Sequence, residues 1–207
     1  MSVEFFNYHI NWKSKAIHPG RHKSDQRGMG IEFAGHSNLL DYPDPRRIDL
    51  RMTMRDPMDQ IYVRIFNQRS ATPIMIFNDL SASMSFGQAS KLERAAEIAK
   101  IIKNSAYQNS DAIGLVGFHD TVDDEWIAPL SYRPYLTESL INKIALEKNH
   151  NKGSNGILKL HQYLPKDHTL IFFISDFHIP IEEITVFLNN TRKHTVAPVI
   201  LWDKDEY

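Results

Sequence analysis

The hydrophobic positions divide the chain into two parts of different character. Residues 1–70 are polar, weakly periodic and rich in Arg, His, Pro and Gly. From about Thr72 onward, short continuous apolar runs alternate with stretches whose apolar residues recur at helical spacing. Continuous runs are typical of strands buried on both faces of a parallel sheet, and helical spacing indicates one buried stripe. The pattern predicts a β-rich or irregular N-terminal extension (residues 1–70), packed on a main α/β domain (residues 71–207).

Strands and helices alternate along the second part. The expected strands cover residues 73–78, 111–118, 125–128, 169–175 and 195–202, and the expected helices cover residues 91–107, 136–147, 156–164 and 181–192. In the third helix, the predicted buried stripe consists of Ile157, Leu158, Leu160 and Leu164. Such alternation predicts a mostly parallel sheet flanked by helices, and right-handed crossovers bring the carboxyl ends of the parallel strands to one edge.

Composition narrows the class of protein. Hydrophobic residues make up 42% of the 207 residues, and 24 basic residues balance 25 acidic ones to a net charge of -1. Charge therefore gives no support for a nucleic-acid or membrane-surface partner. The absence of cysteine excludes disulfides, thiolate metal sites and cysteine nucleophiles. The N-terminus does not resemble a signal peptide, and no apolar run is long enough to span a bilayer, so we expect a cytoplasmic protein without membrane insertion.

Oxygen-bearing side chains follow two of the expected strands. Asp79 and Asp176 each end a buried apolar run, and Ser154 begins a predicted helix between them. Asp79, Ser81 and Ser83 are spaced two apart, so an extended segment would point all three in the same direction. Ligands bind at the carboxyl ends of the strands in open α/β sheets. Oxygen ligands suit a hard cation, so the sequence predicts a site for Mg²⁺, with Mn²⁺ or Ca²⁺ as alternatives.

The predicted ligands also indicate what the metal would do. Serine hydroxyls are neutral, and two of them bound directly leave most of the charge of a divalent ion uncompensated. Such an ion would accept a carboxylate from a partner protein as its last ligand. The sequence therefore favours a binding module over an enzyme, with no catalytic residue and no organic cofactor.

Three short motifs carry a resemblance to a known family. The sequence DLSASMSFG at Asp79–Gly87 resembles the metal-ion-dependent adhesion site of von Willebrand factor A domains. GSN at Gly153–Asn155 and ISDF at Ile174–Phe177 fall where that family has its later ligands. The stretch Arg27–Asp56 and the lysine Lys91 are similar to a bacterial branch known as domain-of-unknown-function family fifty-eight, which is associated with MoxR-type ATPases.

This resemblance implies a fold, a ligand set and a partner. The fold would be von Willebrand A-like, a Rossmann-like arrangement. Ser81, Ser83 and Ser154 would bind the metal directly, and Asp79 and Asp176 would act through water or from behind the direct ligands. The partner implied is a MoxR-type AAA+ ATPase, with a role in the assembly or maturation of another protein complex.

Two other functions remain open at the level of sequence. One is a Mg²⁺-dependent phosphohydrolase with Asp79 as nucleophile, although the usual second aspartate two residues later is Ser81 here. The other is a scaffold without metal.

Other polar residues have both structural and functional interpretations. The four arginines between Arg46 and Arg55 suit an anion or partner surface, or else a strand with Arg on one face paired with acidic neighbours. His119 and His178 each follow a predicted strand, and both are expected near the metal edge, as surface turn residues or at its rim.

Overall fold

A computed structural model describes residues 5–16, 18–85, 90–147 and 153–202, and it describes residues 25–31 by their backbone alone. The chain forms two compact units. One unit is Asn11–Ala71, and the other comprises the described parts of Met1–Ile10 and Thr72–Tyr207. The expected packing of an N-terminal extension on the main domain stays a prediction.

The unit Asn11–Ala71 is built on one antiparallel strand pair. Strand β1 (Pro19–Asn38) pairs with β2 (Tyr62–Ser70), and β1 is interrupted by several register shifts. Between the two strands lie a 3-10 turn (Pro45–Arg47) and a short helix α1 (Leu50–Thr53). This unit is β-rich, as the sequence indicated.

The alternative of a strand through Arg46–Arg55 is wrong. The side chain of Asp44 accepts from the backbone N of Arg46 (3.3 Å), and that of Asp49 accepts from the backbone N of Arg51 (3.1 Å). Aspartates in these positions cap helical turns, so they begin two turns where the arginines would otherwise alternate in a strand. Asp44 also pairs with Arg46 and Arg47, which agrees with the expected acidic neighbours.

The second unit contains a five-stranded sheet in the order β5-β4-β3-β6-β7. Its strands are β3 (Pro73–Asp79), β4 (Ala112–Phe118), β5 (Ile127–Ser131), β6 (Leu170–Ser175) and β7 (Thr195–Ile200). Its helices are α2 (Lys91–Gln108), α3 (Tyr135–Leu146) and α4 (Ile181–Asn190), with a nine-residue 3-10 segment at Asn155–Tyr163. All neighbouring strands are parallel except the β4–β5 pair. The predicted fold class, a mostly parallel sheet flanked by helices, is confirmed.

The core lies between the sheet and its helices. Phe77 of β3 and Phe173 of β6 pack against Phe187 of α4, with ring centroids 6.0 and 5.1 Å from that of Phe187. Helices α2 and α3 pack on each other and against β4. The central strand β3 is buried almost throughout, which explains its uninterrupted apolar sequence. Among the described residues, no helix is both long enough and apolar enough to cross a membrane.

Residues 155–163 are helical, but in the tighter 3-10 form. With three residues per turn, Ile157 and Leu160 share a face and are buried, and Tyr163 packs against the same cluster. Leu158 points away and is 37% exposed, so its predicted place in the buried stripe is wrong. The α-helical spacing used for the prediction does not apply to a segment with this shorter period.

Both outer strands of the sheet contain a proline. Pro129 lies in β5 and Pro198 in β7. Proline has no backbone N–H and is found in sheets mainly on edge strands, where the missing donor faces outward.

Candidate metal site

Asp79 ends β3 and holds the following loop against the neighbouring strand. Its side chain is completely buried. The Oδ1 atom accepts from the backbone N of Ser81 at 2.8 Å, and the Oδ2 atom accepts from the hydroxyl of Ser175 at 2.6 Å. Ser175 is the last residue of β6, which lies next to β3. Asp79 therefore fixes both the turn after its own strand and the end of the adjacent strand.

The electrostatic environment of Asp79 disfavours its charged form. Burial raises the pKa of its carboxyl group, and the hydrogen bonds from Ser175 and Ser81 oppose that rise only in part. A buried carboxylate is costly unless it is paired with a cation. A divalent ion bound nearby would supply that compensation.

Three oxygen atoms from separate residues form a short array beside Asp79. The Oγ atoms of Ser81 and Ser83 lie 3.1 Å apart, and the Oγ atom of Ser83 lies 3.1 Å from Oδ1 of Asp176. A hydroxyl hydrogen bond is usually shorter, about 2.7–2.8 Å between oxygens. Neighbouring ligands of an octahedral Mg²⁺, each about 2.1 Å from the ion, lie about 3.0 Å apart. The spacing of these oxygens fits the ligand shell of a small hard cation.

Asp176 is held by charge and by backbone geometry. Its Oδ2 atom is 2.8 Å from Nζ of Lys91 and 3.2 Å from Nδ1 of His178, and Oδ1 accepts from the backbone N of His178 at 3.2 Å. Burial works to raise the pKa of Asp176, but the hydrogen bonds from Lys91, His178 and Ser83 outweigh it and lower the pKa. These contacts favour the ionised form of Asp176, which is already paired with the ammonium of Lys91.

The residue after Asp176 has an uncommon backbone conformation. Phe177 has a φ of 59°, in the left-handed region that non-glycine residues seldom occupy. Its backbone N donates to Oγ of Ser175 at 2.8 Å, and its ring lies 5.4 Å from that of Phe173. These contacts hold the bend that directs Asp176 back towards Ser83.

Ser154 lies at the same sheet edge but outside the hydrogen-bonded array. It precedes the 3-10 segment in the N-cap position, as expected, yet its hydroxyl makes no capping hydrogen bond. The backbone N of Gly156 donates to the carbonyl of His119 at 2.7 Å, which attaches this segment to the end of β4. The hydrogen bonds described for Asp79, Ser81, Ser83 and Asp176 do not include Ser154.

The structure thus brings most, but not all, of the predicted ligands into one hydrogen-bonded network. Four of the five, namely Asp79, Ser81, Ser83 and Asp176, belong to one connected network. Within the described part of the chain, there is no group of three or more His, Cys, Asp or Glu residues suited to a metal. A metal at this edge would therefore depend on the serine hydroxyls. Metal binding by these residues stays a prediction.

Two members of the site were missed as functional residues in the sequence. Lys91 lies on the apolar stripe of α2 and is 2% exposed, an unusual position for lysine that could have identified it. Ser175 directly precedes Asp176 at the end of the most apolar strand, but a lone serine there carries no signal. Met84, within the same motif, is buried, while Phe86 and Gly87 lie outside the described residues.

The two histidines expected near this edge have different surroundings. His178 contacts Asp176 and its side chain is 48% exposed, which fits a position at the rim. His119 follows β4 and is only 4% exposed, with Nε2 3.1 Å from Oδ2 of Asp123, so the interpretation as a surface turn residue is wrong for His119. A functional role for either histidine stays a prediction.

The second unit is an α/β domain with a five-stranded, mostly parallel sheet, and the candidate site lies at the carboxyl edge of that sheet. Residues 43–207 match the family described as protein of unknown function DUF58, and the chain belongs to this family. No curated protein matches the chain.

Several solved structures are similar to the chain at low sequence identity. The conserved hypothetical protein BatB from Bacteroides thetaiotaomicron is 16% identical, with a TM-score of 0.47 over 63% of this chain and 66% of that one. An aerotolerance-related membrane protein from Bacteroides fragilis is 16% identical, with a TM-score of 0.47 over 63% and 67%. A von Willebrand factor type A protein from Catenulispora acidiphila is 9% identical, with a TM-score of 0.44 over 90% and 41%. The chain thus spans just under two thirds of the BatB structure, and no functional conclusion rests on these likenesses.

Proposed function

We propose that this chain is a protein-binding module that depends on a divalent cation, Mg²⁺ in the first place. The cation would be held by Ser81, Ser83 and Ser154, with Asp79 and Asp176 acting through water or from behind them. Its open position would take an acidic side chain from a partner protein.

The observation that carries the proposal is the array of three oxygens. The hydroxyl oxygens of Ser81 and Ser83 lie 3.1 Å apart, close to the spacing of neighbouring ligands in a small octahedral shell, and Oδ1 of Asp176 lies 3.1 Å from the Ser83 hydroxyl, where it could support that ligand or a bound water. The hydroxyl of Ser154 lies at the same edge and makes no capping hydrogen bond to its own helical segment. This supports Ser154 as a further metal ligand.

The charges at the site favour an acidic partner. A bound cation would offset the burial of Asp79 and keep both aspartates ionised, so that with Lys91 protonated the three side chains sum to one negative charge. A divalent cation reverses this to one positive charge, and a carboxylate from a partner would then neutralise the site. Little energy would be gained from a neutral partner group, because the cation would keep its uncompensated charge in a buried setting.

Binding is better supported than catalysis. A nucleophilic aspartate needs an oxygen that can reach the substrate, but Asp79 is fully buried and both of its oxygens accept hydrogen bonds. The role supported for Asp79 is to organise the loop and balance charge.

The partner class follows from the family rather than from the geometry. The resemblance of the chain to MoxR-associated proteins supports a MoxR-type AAA+ ATPase as partner. The module would then be an adaptor in the assembly or maturation of another protein complex.

Calorimetric titration with Mg²⁺ tests the metal. We expect binding heat for the wild-type chain and its loss in the double variant Ser81→Ala/Ser83→Ala. Ser105→Ala is the matched control, because that buried hydroxyl bonds to the carbonyl of Ile101, within α2 and away from the array. Absence of heat in the wild type would overturn the proposal in favour of a metal-free scaffold.

Two further measurements separate binding from catalysis. A purified MoxR-type AAA+ ATPase should be retained by the immobilised chain in Mg²⁺ and released by a chelator. Turnover of a phosphoester that requires Mg²⁺ and is abolished by Asp79→Asn would instead identify an enzyme.

A further inference from the structure

Lys91 places a buried ammonium group at the candidate metal site. Its side chain is 3% exposed, and Nζ lies 2.8 Å from Oδ2 of Asp176. The same Nζ donates to the backbone carbonyl of Ser83 at 3.3 Å. The ammonium thus contacts two of the residues that contribute to the oxygen array.

The position of Lys91 in its helix is unfavourable for a cation. Lys91 is the first residue of α2, and Ser90 caps that helix by accepting from the backbone N of Leu92. The amino end of a helix carries a partial positive charge, which repels a lysine there. Burial adds a desolvation cost, and only pairing with a carboxylate offsets both. This pairing accounts for the buried lysine, which neither helix formation nor apolar packing explains.

We propose that the Lys91 ammonium is a cation built into the site, which neutralises Asp176 when no metal is bound and limits how tightly a divalent ion can bind. The inference rests on the proposed function, since it concerns the same site. Lys91 would not bind the metal itself. It would set the affinity of the site for a divalent ion through its pairing with Asp176.

The physical basis is competition for one carboxylate. Without the metal, Asp176 is satisfied by the ammonium, so the folded chain does not need the ion. When the metal enters, it must share Asp176 with a positive charge a few ångströms away, and the two cations repel each other. This arrangement favours weak, reversible metal binding that a partner carboxylate would strengthen, because the added negative charge relieves the repulsion.

Replacement of Lys91 by a neutral residue tests the inference. Calorimetric titration with Mg²⁺ alone should show about tenfold or more tighter binding to Lys91→Met than to the wild type, since one repulsive charge is removed. The control is Lys103→Met on the same helix. That lysine is also nearly buried and lies 3.5 Å from Oε1 of Glu138, outside the oxygen array, so its loss should leave Mg²⁺ affinity unchanged.

A second variant at the same position keeps the test valid if Lys91→Met does not fold. Lys91→Met leaves the Asp176 carboxylate without its counter-ion, whereas Lys91→Gln keeps an amide donor in place of the ammonium. Both variants should melt at a lower temperature than the wild type in chelator, and Mg²⁺ should raise their melting temperatures more than that of the wild type.

The outcomes separate the two proposals. Tighter Mg²⁺ binding by both Lys91 variants than by the wild type supports the inference. Heat from the wild type with equal or weaker affinity in both variants overturns the inference and leaves the proposed function intact. No binding to the wild type or to either variant overturns both.

Discussion

The hydroxyl of Ser175 donates to Oδ2 of Asp79 across 2.6 Å, although the two residues lie 96 positions apart in the sequence. The bond joins the ends of two adjacent parallel strands at the point where the candidate ligands begin. The same hydroxyl oxygen accepts from the backbone N of Phe177, so one serine connects Asp79 to the bend that places Asp176. The geometry of the oxygen array depends on this buried hydroxyl.

Ser175→Ala should therefore weaken both the fold and the site. Removal of the donor leaves a buried carboxylate oxygen and a backbone N–H without their partner, at a cost of about 1–3 kcal/mol in the free energy of unfolding. Urea denaturation measures this loss. Calorimetry should show reduced Mg²⁺ affinity, whereas Ser105→Ala should lower stability without a change in affinity. Equal Mg²⁺ affinity in wild type and Ser175→Ala would contradict the positioning role.

Gly156→Ala should displace the segment that carries Ser154. A Cβ atom at residue 156 would lie 2.6 Å from the carbonyl oxygen of His119 and 2.8 Å from that of Thr121, so backbone must move. We expect a loss of about 1–3 kcal/mol in stability, together with weaker Mg²⁺ binding.

Gly153→Ala is the matched control for that variant. The nearest atom to its added Cβ is Oδ1 of Asp120, the end of a flexible side chain that can turn away. Stability and Mg²⁺ affinity should stay close to wild type. Similar effects of the two substitutions would show that the contact with the end of β4 does not position Ser154.

The burial of residues 155–163 on one face can be tested with two leucines. Leu160 is fully buried and Leu158 is 37% exposed, so Leu160→Ala should cost about 2–5 kcal/mol in the free energy of unfolding. Leu158→Ala should cost far less. Equal costs in urea denaturation would contradict the exposed position of Leu158.

His194 should make stability depend on pH below neutrality. Its Nδ1 accepts from the backbone N of Thr169 at 3.2 Å, and burial, with added repulsion from Lys193 and His168, lowers its pKa. The unfolded chain therefore binds a proton first as pH falls through about 6.5, and the folded state loses stability until the lowered pKa is reached. Above pH 6.5, the stabilising effect is fully present.

His194→Asn should reduce this pH dependence. The Oδ1 atom of asparagine can replace Nδ1 as the acceptor for Thr169, but the side chain cannot take up a proton. The measurement is the free energy of unfolding in urea from pH 7.5 to pH 5. An unchanged slope in the variant would exclude His194 as a source of the dependence.

The succession of strands and helices along the chain could be predicted from the sequence because burial determines the pattern of apolar residues in each element. A strand buried on both faces has an uninterrupted apolar sequence, and Pro73–Asp79 and Leu170–Ser175 are of this kind. The 3-10 segment was read with the wrong period because its apolar residues fit both 3.0 and 3.6 residues per turn. A strand was one interpretation of the stretch from Arg46 to Arg55 because its arginines are interspersed with other residues, as on one face of a strand. The aspartates Asp44 and Asp49, which cap helical turns, were not used in that interpretation.

The candidate site was partly predictable for a different reason. Aspartates at strand ends and serines at spacing two are local features that the topology then brings to one edge. The links from Lys91 to Asp176 and from Ser175 to Asp79 span 85 and 96 residues, and no local pattern encodes such pairings. These long-range contacts follow from the packing of α2 and from the neighbouring positions of β3 and β6.

The prolines in the two outer strands restrict how another molecule can attach to this sheet. A visiting strand needs an unbroken row of donors and acceptors, and Pro129 and Pro198 each interrupt that row on opposite flanks of the sheet. Extension of the sheet by a second polypeptide is disfavoured on either side, which protects the domain from fibre-like self-association. At the five-stranded sheet, a partner protein would therefore be bound through side chains and loops.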